Sequence, residues 1–72
     1  MSIQEISVSN NQKKVIQKAL KKSKALIEEE NGDLVLDQDA YFEWCDDNGK
    51  YPLEDILPEQ VFDDEAEYIV FV

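Results

Sequence analysis

Polar and apolar residues alternate from Ile3 to Val8, with Ile6 and Val8 flanking Ser7, and this period of two predicts a short strand. The period then lengthens. Val15, Ile16, Ala19, Leu20, Ser23, Leu26 and Ile27 recur at three- and four-residue spacing while Lys14, Lys18, Lys21 and Lys22 fall outside that face, which predicts an amphipathic helix. Ser9 and Gln12 form an S-x-x-Q capping box, in which each side chain satisfies an orphan backbone amide of the other, so the helix is expected to start there.

Its end has two readings. Asn31-Gly32 suits a helix C-cap, and it equally suits the two-residue turn of a hairpin pairing residues 25–30 with 33–36. Lys13 and Lys14 at the N-terminus and Glu28 to Glu30 at the far end all oppose the helix macrodipole, each by roughly 0.3–1 kcal/mol. Those charges lean toward an early stop, without deciding it.

Leu34-Val35-Leu36 is a short strand on either reading, and Asp37 is a suitable N-cap for a second helix running to about Asp47, stopped by Asn48-Gly49. Tyr41, Trp44 and Cys45 share one side of that helix. Asp39, Glu43, Asp46 and Asp47 share the other, at i, i+4, i+7 and i+8. Residues 50–64 hold both prolines and read as a connection with a helical turn over 52–57. Residues 66–72 end in Tyr-Ile-Val-Phe-Val, all strong strand formers; with apolar residues on both faces this strand is expected inside the sheet and covered by helices. The expected fold is α+β, with two helices packed on a small sheet of about three strands, the C-terminal strand central, in one domain spanning 1–72.

Composition narrows the function classes. A chain of 72 residues buries only about 60% of its extended surface. Seven aromatic residues and a 43% hydrophobic fraction still argue for a folded core. Cys45 is the only cysteine, which excludes an internal disulfide. The first dozen residues lack a charged region followed by an apolar stretch, so a cytoplasmic location is expected.

Candidate chemistry runs short of parts. The chain has no histidine, so Cys45 has no imidazole to deprotonate it, and its place beside Trp44 suggests a buried thiol. A carboxylate pair of the glycosidase kind would need a substrate cleft that a chain this short can hardly wall. Asp46-Asp47-Asn48-Gly49 fits no register of a calcium loop, because a start at Asp46 puts Gly49 at position 4. No catalytic residue, metal or cofactor is expected, and the chain is read as not an enzyme. Residues 13–24 are lysine-rich but hold neither arginine nor an aromatic residue, so direct nucleic-acid or membrane binding is not expected.

Charge is what remains. Residues 1–27 carry six lysines against Glu5, a balance of +5, and residues 28–72 carry sixteen acids against Lys50, a balance of -15. Asp39, Glu43, Asp46 and Asp47 form a stripe with an i to i+4 rise of about 6 Å, similar to the spacing of successive phosphates along a strand. Asp63, Asp64, Glu65 and Glu67 form a second run before the last strand, and Tyr51, beside Pro52, is the aromatic expected to be accessible. These nine residues are the candidate partner-binding surface. The expected function is a non-enzymatic inhibitor or modulator, of phage or mobile-element type, whose acidic surface engages the basic, nucleic-acid-binding surface of a partner protein. The alternative is an antitoxin or immunity protein that neutralises a small basic toxin; operator binding by the lysine helix would mark that class. A monomer or homodimer suits either.

Overall fold

The computed structural model describes residues 2–72. In chain order these form β1 (Ile3–Ile6), α1 (Asn10–Leu20), β2 (Leu26–Glu28), β3 (Leu34–Asp37), α2 (Gln38–Asn48), α3 (Pro52–Ile56) and β4 (Tyr68–Phe71). The α+β class holds, but the described residues carry four strands and three helices where about three and two were expected. The hairpin supplies the extra strand, and the expected helical turn after Pro52 is a short helix.

α1 begins as its capping box requires: the Gln12 N–H donates to Ser9 Oγ at 3.1 Å and the Ser9 N–H to Gln12 Oε1 at 2.9 Å. It stops at Leu20, well short of the expected apolar face, so Leu26 and Ile27 belong to a strand and not to the helix. Ser23 makes the stop, its hydroxyl donating to the Leu20 carbonyl at 2.7 Å while accepting the Ala25 N–H at 3.1 Å. Lys24 then enters the left-handed region at φ 60°. A side chain there costs about 1 kcal/mol. Lys24→Gly should relieve that strain and lose part of the gain to unfolded-chain entropy, a net of about 0.5 kcal/mol that raises Tm by about 3 °C. A lower Tm in a thermal melt would mean that the Lys24 side chain contributes more than its backbone costs.

The returning chain pairs Leu26 with Leu36, Ile27 with Val35 and Glu28 with Leu34, antiparallel. The turn is longer than the two residues expected of Asn31-Gly32. The Gly32 N–H closes on the Glu29 carbonyl at 3.0 Å and the Glu29 N–H on Asp33 at 2.9 Å, leaving Glu30, Asn31 and Gly32 as the loop. Gly32 takes φ 94°, the left-handed residue that follows a type I turn in such three-residue connections.

The strand order is β1-β4-β3-β2, with β4 parallel to β1 and antiparallel to β3, so the C-terminal strand is central as expected. β1 ends at Ile6 and not Val8, and β4 begins at Tyr68 and not Ala66. Ile6, Leu34, Leu36, Ile69 and Phe71 line one face and join Ile16, Leu20, Tyr41, Cys45, Leu53 and Leu57 of the helical side in one core. The other face has no such cover among the described residues: Val35, Tyr68 and Val70 are half-buried, and Ile3 and Ile27 stand 55% and 52% exposed. β4 is therefore interior to the sheet but covered on one side only, because every helix packs where the fully buried alternate positions lie.

Candidate functional site

α2 is set at both ends as its sequence requires. Asp37 Oδ1 accepts the Ala40 N–H at 3.4 Å, and Gly49, at φ 66°, donates its N–H to the Cys45 carbonyl at 2.7 Å. This fixes the helix rotation. Gln38, Tyr41 and Cys45 turn inward, Trp44 is half-buried against the core, and Asp39, Glu43, Asp46 and Asp47 are all exposed. The helix rise puts about 12 Å between Asp39 and Asp47.

Asp63, Asp64, Glu65 and Glu67 are exposed as well, on a segment held from two sides by glutamines. Gln4 of β1 accepts the Asp63 N–H at 2.7 Å and donates to the Val61 carbonyl at 2.9 Å. Gln38, the first residue of α2, is 2% exposed and donates both amide hydrogens, to the Asp63 carbonyl at 2.7 Å and the Ala66 carbonyl at 2.6 Å. Gln38 thus fastens the second acidic run beside the Asp39 end of α2. The backbone of the second run therefore lies beside the first turn of α2, whereas Asp46 and Asp47 lie at the far end of the helix. Asp63 is partly committed, since its Oδ1 accepts the Glu65 N–H at 3.0 Å.

None of the nine candidate residues takes part in an ion pair among the described residues. The one pair present joins Lys13 Nζ to Asp33 Oδ1 at 3.9 Å. Apart from Lys13, the lysines of α1 form no ion pair with the acidic half among the described residues. Lys14, Lys18 and Lys21 instead line an open groove between α1 and β2, over Leu20 and Leu26.

Tyr51 is 47% exposed, as expected, and the structure places it with residues the sequence did not single out. It shares a cleft of about 90 Å³ with Tyr41, Phe42, Phe62 and Asp64. Three segments distant in sequence meet there, so no local pattern announces it. The ring centroids of Tyr41 and Phe42 stand 5.9 Å apart at 46°, and the Tyr41 hydroxyl accepts the Leu53 N–H at 3.3 Å.

Burial pushes the Tyr41 hydroxyl far above the ordinary phenol range, with the neighbouring Cys45 thiol adding to the shift. Burial likewise pushes Cys45 up, only partly countered by its contact with Tyr41. Cys45 is fully buried and protonated, which removes the thiolate a nucleophile requires. Both groups are neutral when protonated, and the folded chain holds those protons more tightly than the unfolded one. Their contribution is fully present below the ordinary thiol range near about 8.5 and is lost as pH rises through the raised values. Urea midpoints should therefore be level at neutral pH and fall above about pH 9; a thiol reagent should label Cys45 only as the protein unfolds. Labelling of the native protein at the rate of a free thiol would contradict the burial.

Among the described residues no group of three or more carboxylates or thiols is disposed to hold a metal ion, and no helix is long and apolar enough to cross a membrane. Comparison of the chain with known protein families, with curated proteins and with solved structures gave no match.

Proposed function

We propose that the protein is a non-enzymatic inhibitor or modulator that binds the basic, nucleic-acid-binding surface of another protein through the acidic face of α2 and the 63–67 segment. The observation that carries this reading is that those carboxylates are unpaired among the described residues and stand on elements held by caps and hydrogen bonds. Eight acids stand exposed without a lysine partner among the described residues, four on one side of a capped helix and four on a segment fastened by Gln4 and Gln38. Such an array costs little reorganisation on meeting fixed cations, and its field raises the encounter rate.

The test is affinity capture with the tagged protein from a lysate of its native host, washed at low and at high salt. A nucleic-acid-processing protein with a basic surface should be retained at low salt and released at high salt. The variant Asp39→Asn, Glu43→Gln, Asp46→Asn, Asp47→Asn should bind it at least about tenfold more weakly and with a shallower salt dependence. Equal binding by that variant would remove α2 from the interface.

A second reading, an antitoxin or immunity protein for a small basic toxin, draws on the lysines of α1. Lys14, Lys18, Lys21, Lys22 and Lys24 are exposed and outside any ion pair among the described residues, which leaves them free to contact operator phosphates. Capture of one small basic protein, together with salt-sensitive binding to the DNA upstream of its own gene, favours this reading over the first.

A further inference from the structure

The cleft beside Tyr51 has a size and a lining that select its occupant. Its volume of about 90 Å³ falls well short of the roughly 300–1,000 Å³ of a small-molecule site. A space of that size suits the end of one long side chain and not a whole small molecule. Its walls are aromatic: Phe42 and Tyr51 are 37% and 47% exposed at the opening, with Phe62 and Tyr41 deeper.

The polar groups of the lining share one character. Gln38 has committed both amide hydrogens to the carbonyls of Asp63 and Ala66, so what it has left to offer is its oxygen, an acceptor. Glu54 and Asp64 add two exposed carboxylates, and no lysine lines the cleft. Apart from the phenol hydroxyls, every uncommitted side-chain polar atom of the lining accepts hydrogen bonds or carries negative charge. An anion would be repelled, and a neutral apolar group would leave the acceptors unused. A cation within about 6 Å of the ring faces is attracted by their quadrupoles and finds carboxylates for its N–H groups.

We infer that this cleft is the receptacle for a single lysine or arginine side chain of the partner, the anchoring contact of an otherwise broad acidic surface. The inference rests on the proposed function for the source of that side chain, though not for the chemistry of the cleft. Buried aromatic pockets that fill with one charged anchor are where interface energy concentrates. Asp64 and Tyr51 thereby acquire a role different from Asp46 and Asp47, which lie outside the cleft and supply only the field.

The test needs no partner. The labelled protein is titrated with the blocked amino acids N-acetyl-lysine methylamide and N-acetyl-arginine methylamide, and with the uncharged N-acetyl-norleucine methylamide, and amide chemical shifts are followed by NMR. At least one cationic probe should give saturable shifts confined to residues around Phe42, Tyr51, Leu53 and Asp64, with norleucine about tenfold weaker. Tyr51→Ala and Asp64→Asn should each weaken the cationic probe about fivefold, while Asp46→Asn leaves it unchanged. Equal binding of norleucine, equal loss in Asp46→Asn, or shifts scattered without saturation would each overturn the inference. Tyr51 and Asp64 are exposed, and unchanged spectra elsewhere will show that the variants fold. Because the titration and the lysate capture share no component, either can fail while the other succeeds. Failure of the titration alone would leave an acidic surface without an anchor, and failure of the capture alone would leave a cation site without the proposed partner.

Discussion

Phe71→Ala should remove about half or more of the folding stability. Phe71 is fully buried on the central strand, paired with Ile6 on one side and Leu34 on the other, in the core that the helices cover. Truncating a buried phenylalanine costs about 3–5 kcal/mol, transfer and cavity terms together. At roughly 0.05–0.15 kcal/mol per residue, a chain of 72 residues has only about 4–11 kcal/mol to lose, and small domains sit toward the low end. The urea midpoint, read by Trp44 fluorescence and by circular dichroism, should fall by half or more. A loss below about 1 kcal/mol would mean that the site collapses around alanine, which the packing of β4 between two strands and the helical layer gives it no room to do.

Gln38→Met should be the next most damaging change, although it keeps the volume and adds no charge. It leaves the Asp63 and Ala66 carbonyls without the donor that now serves both, at about 1–3 kcal/mol for each acceptor that water cannot reach. Because the bond to Ala66 is buried and the bond to Asp63 only partly so, a total of about 2–4 kcal/mol is expected. Hydrogen exchange should quicken in residues 63–67 more than in α1, and the lysine probe should bind more weakly. Gln38→Glu gives the pH signature. A carboxylate facing two carbonyl oxygens is held above its ordinary value, near about 4.3, so the protonated acid is the form that the fold tolerates. Its stability is retained below that value and lost as pH rises through the raised one. A Gln38→Glu variant as stable as the parent at neutral pH would show that the amide hydrogens are not what hold the segment.

Much of the fold was legible because its devices are local. Ser9 with Gln12, Asp37 as a cap, Gly49 as a stop and the run from Tyr68 to Phe71 each carry their own instruction, and each acts as its chemistry dictates. The end of α1 was ambiguous because Asn31-Gly32 satisfies two turn geometries. The macrodipole argument pointed to the outcome, and Ser23 and Lys24, which make the stop, have no pattern that announces it. Spacing alone puts Val15 and Ile27 on one apolar face of a helix, whereas the structure leaves them 50% and 52% exposed, with Ile27 on a strand beyond the helix end. The acidic stripe of α2 could be read from helical periodicity. The cleft could not be, since Phe42, Tyr51 and Phe62 meet only through tertiary folding, and Gln38 looks like any polar residue after a cap.

The parallel pairing of β1 with β4 also sets how the molecule bears load. Ile3 to Ile6 run alongside Tyr68 to Phe71 in the same direction, and the ladder continues past them, the Val72 N–H donating to Ile6 at 2.9 Å and the Val8 N–H to Val72 at 3.1 Å. A stretch applied between the two ends of the chain draws β1 and β4 past each other along their own axes. The hydrogen bonds joining them then share the force side by side and must break together, whereas the β2–β3 hairpin, pulled at its open end, would yield one bond at a time. Force applied along β1 and β4 in opposite senses is therefore met in shear, with several hydrogen bonds loaded at once.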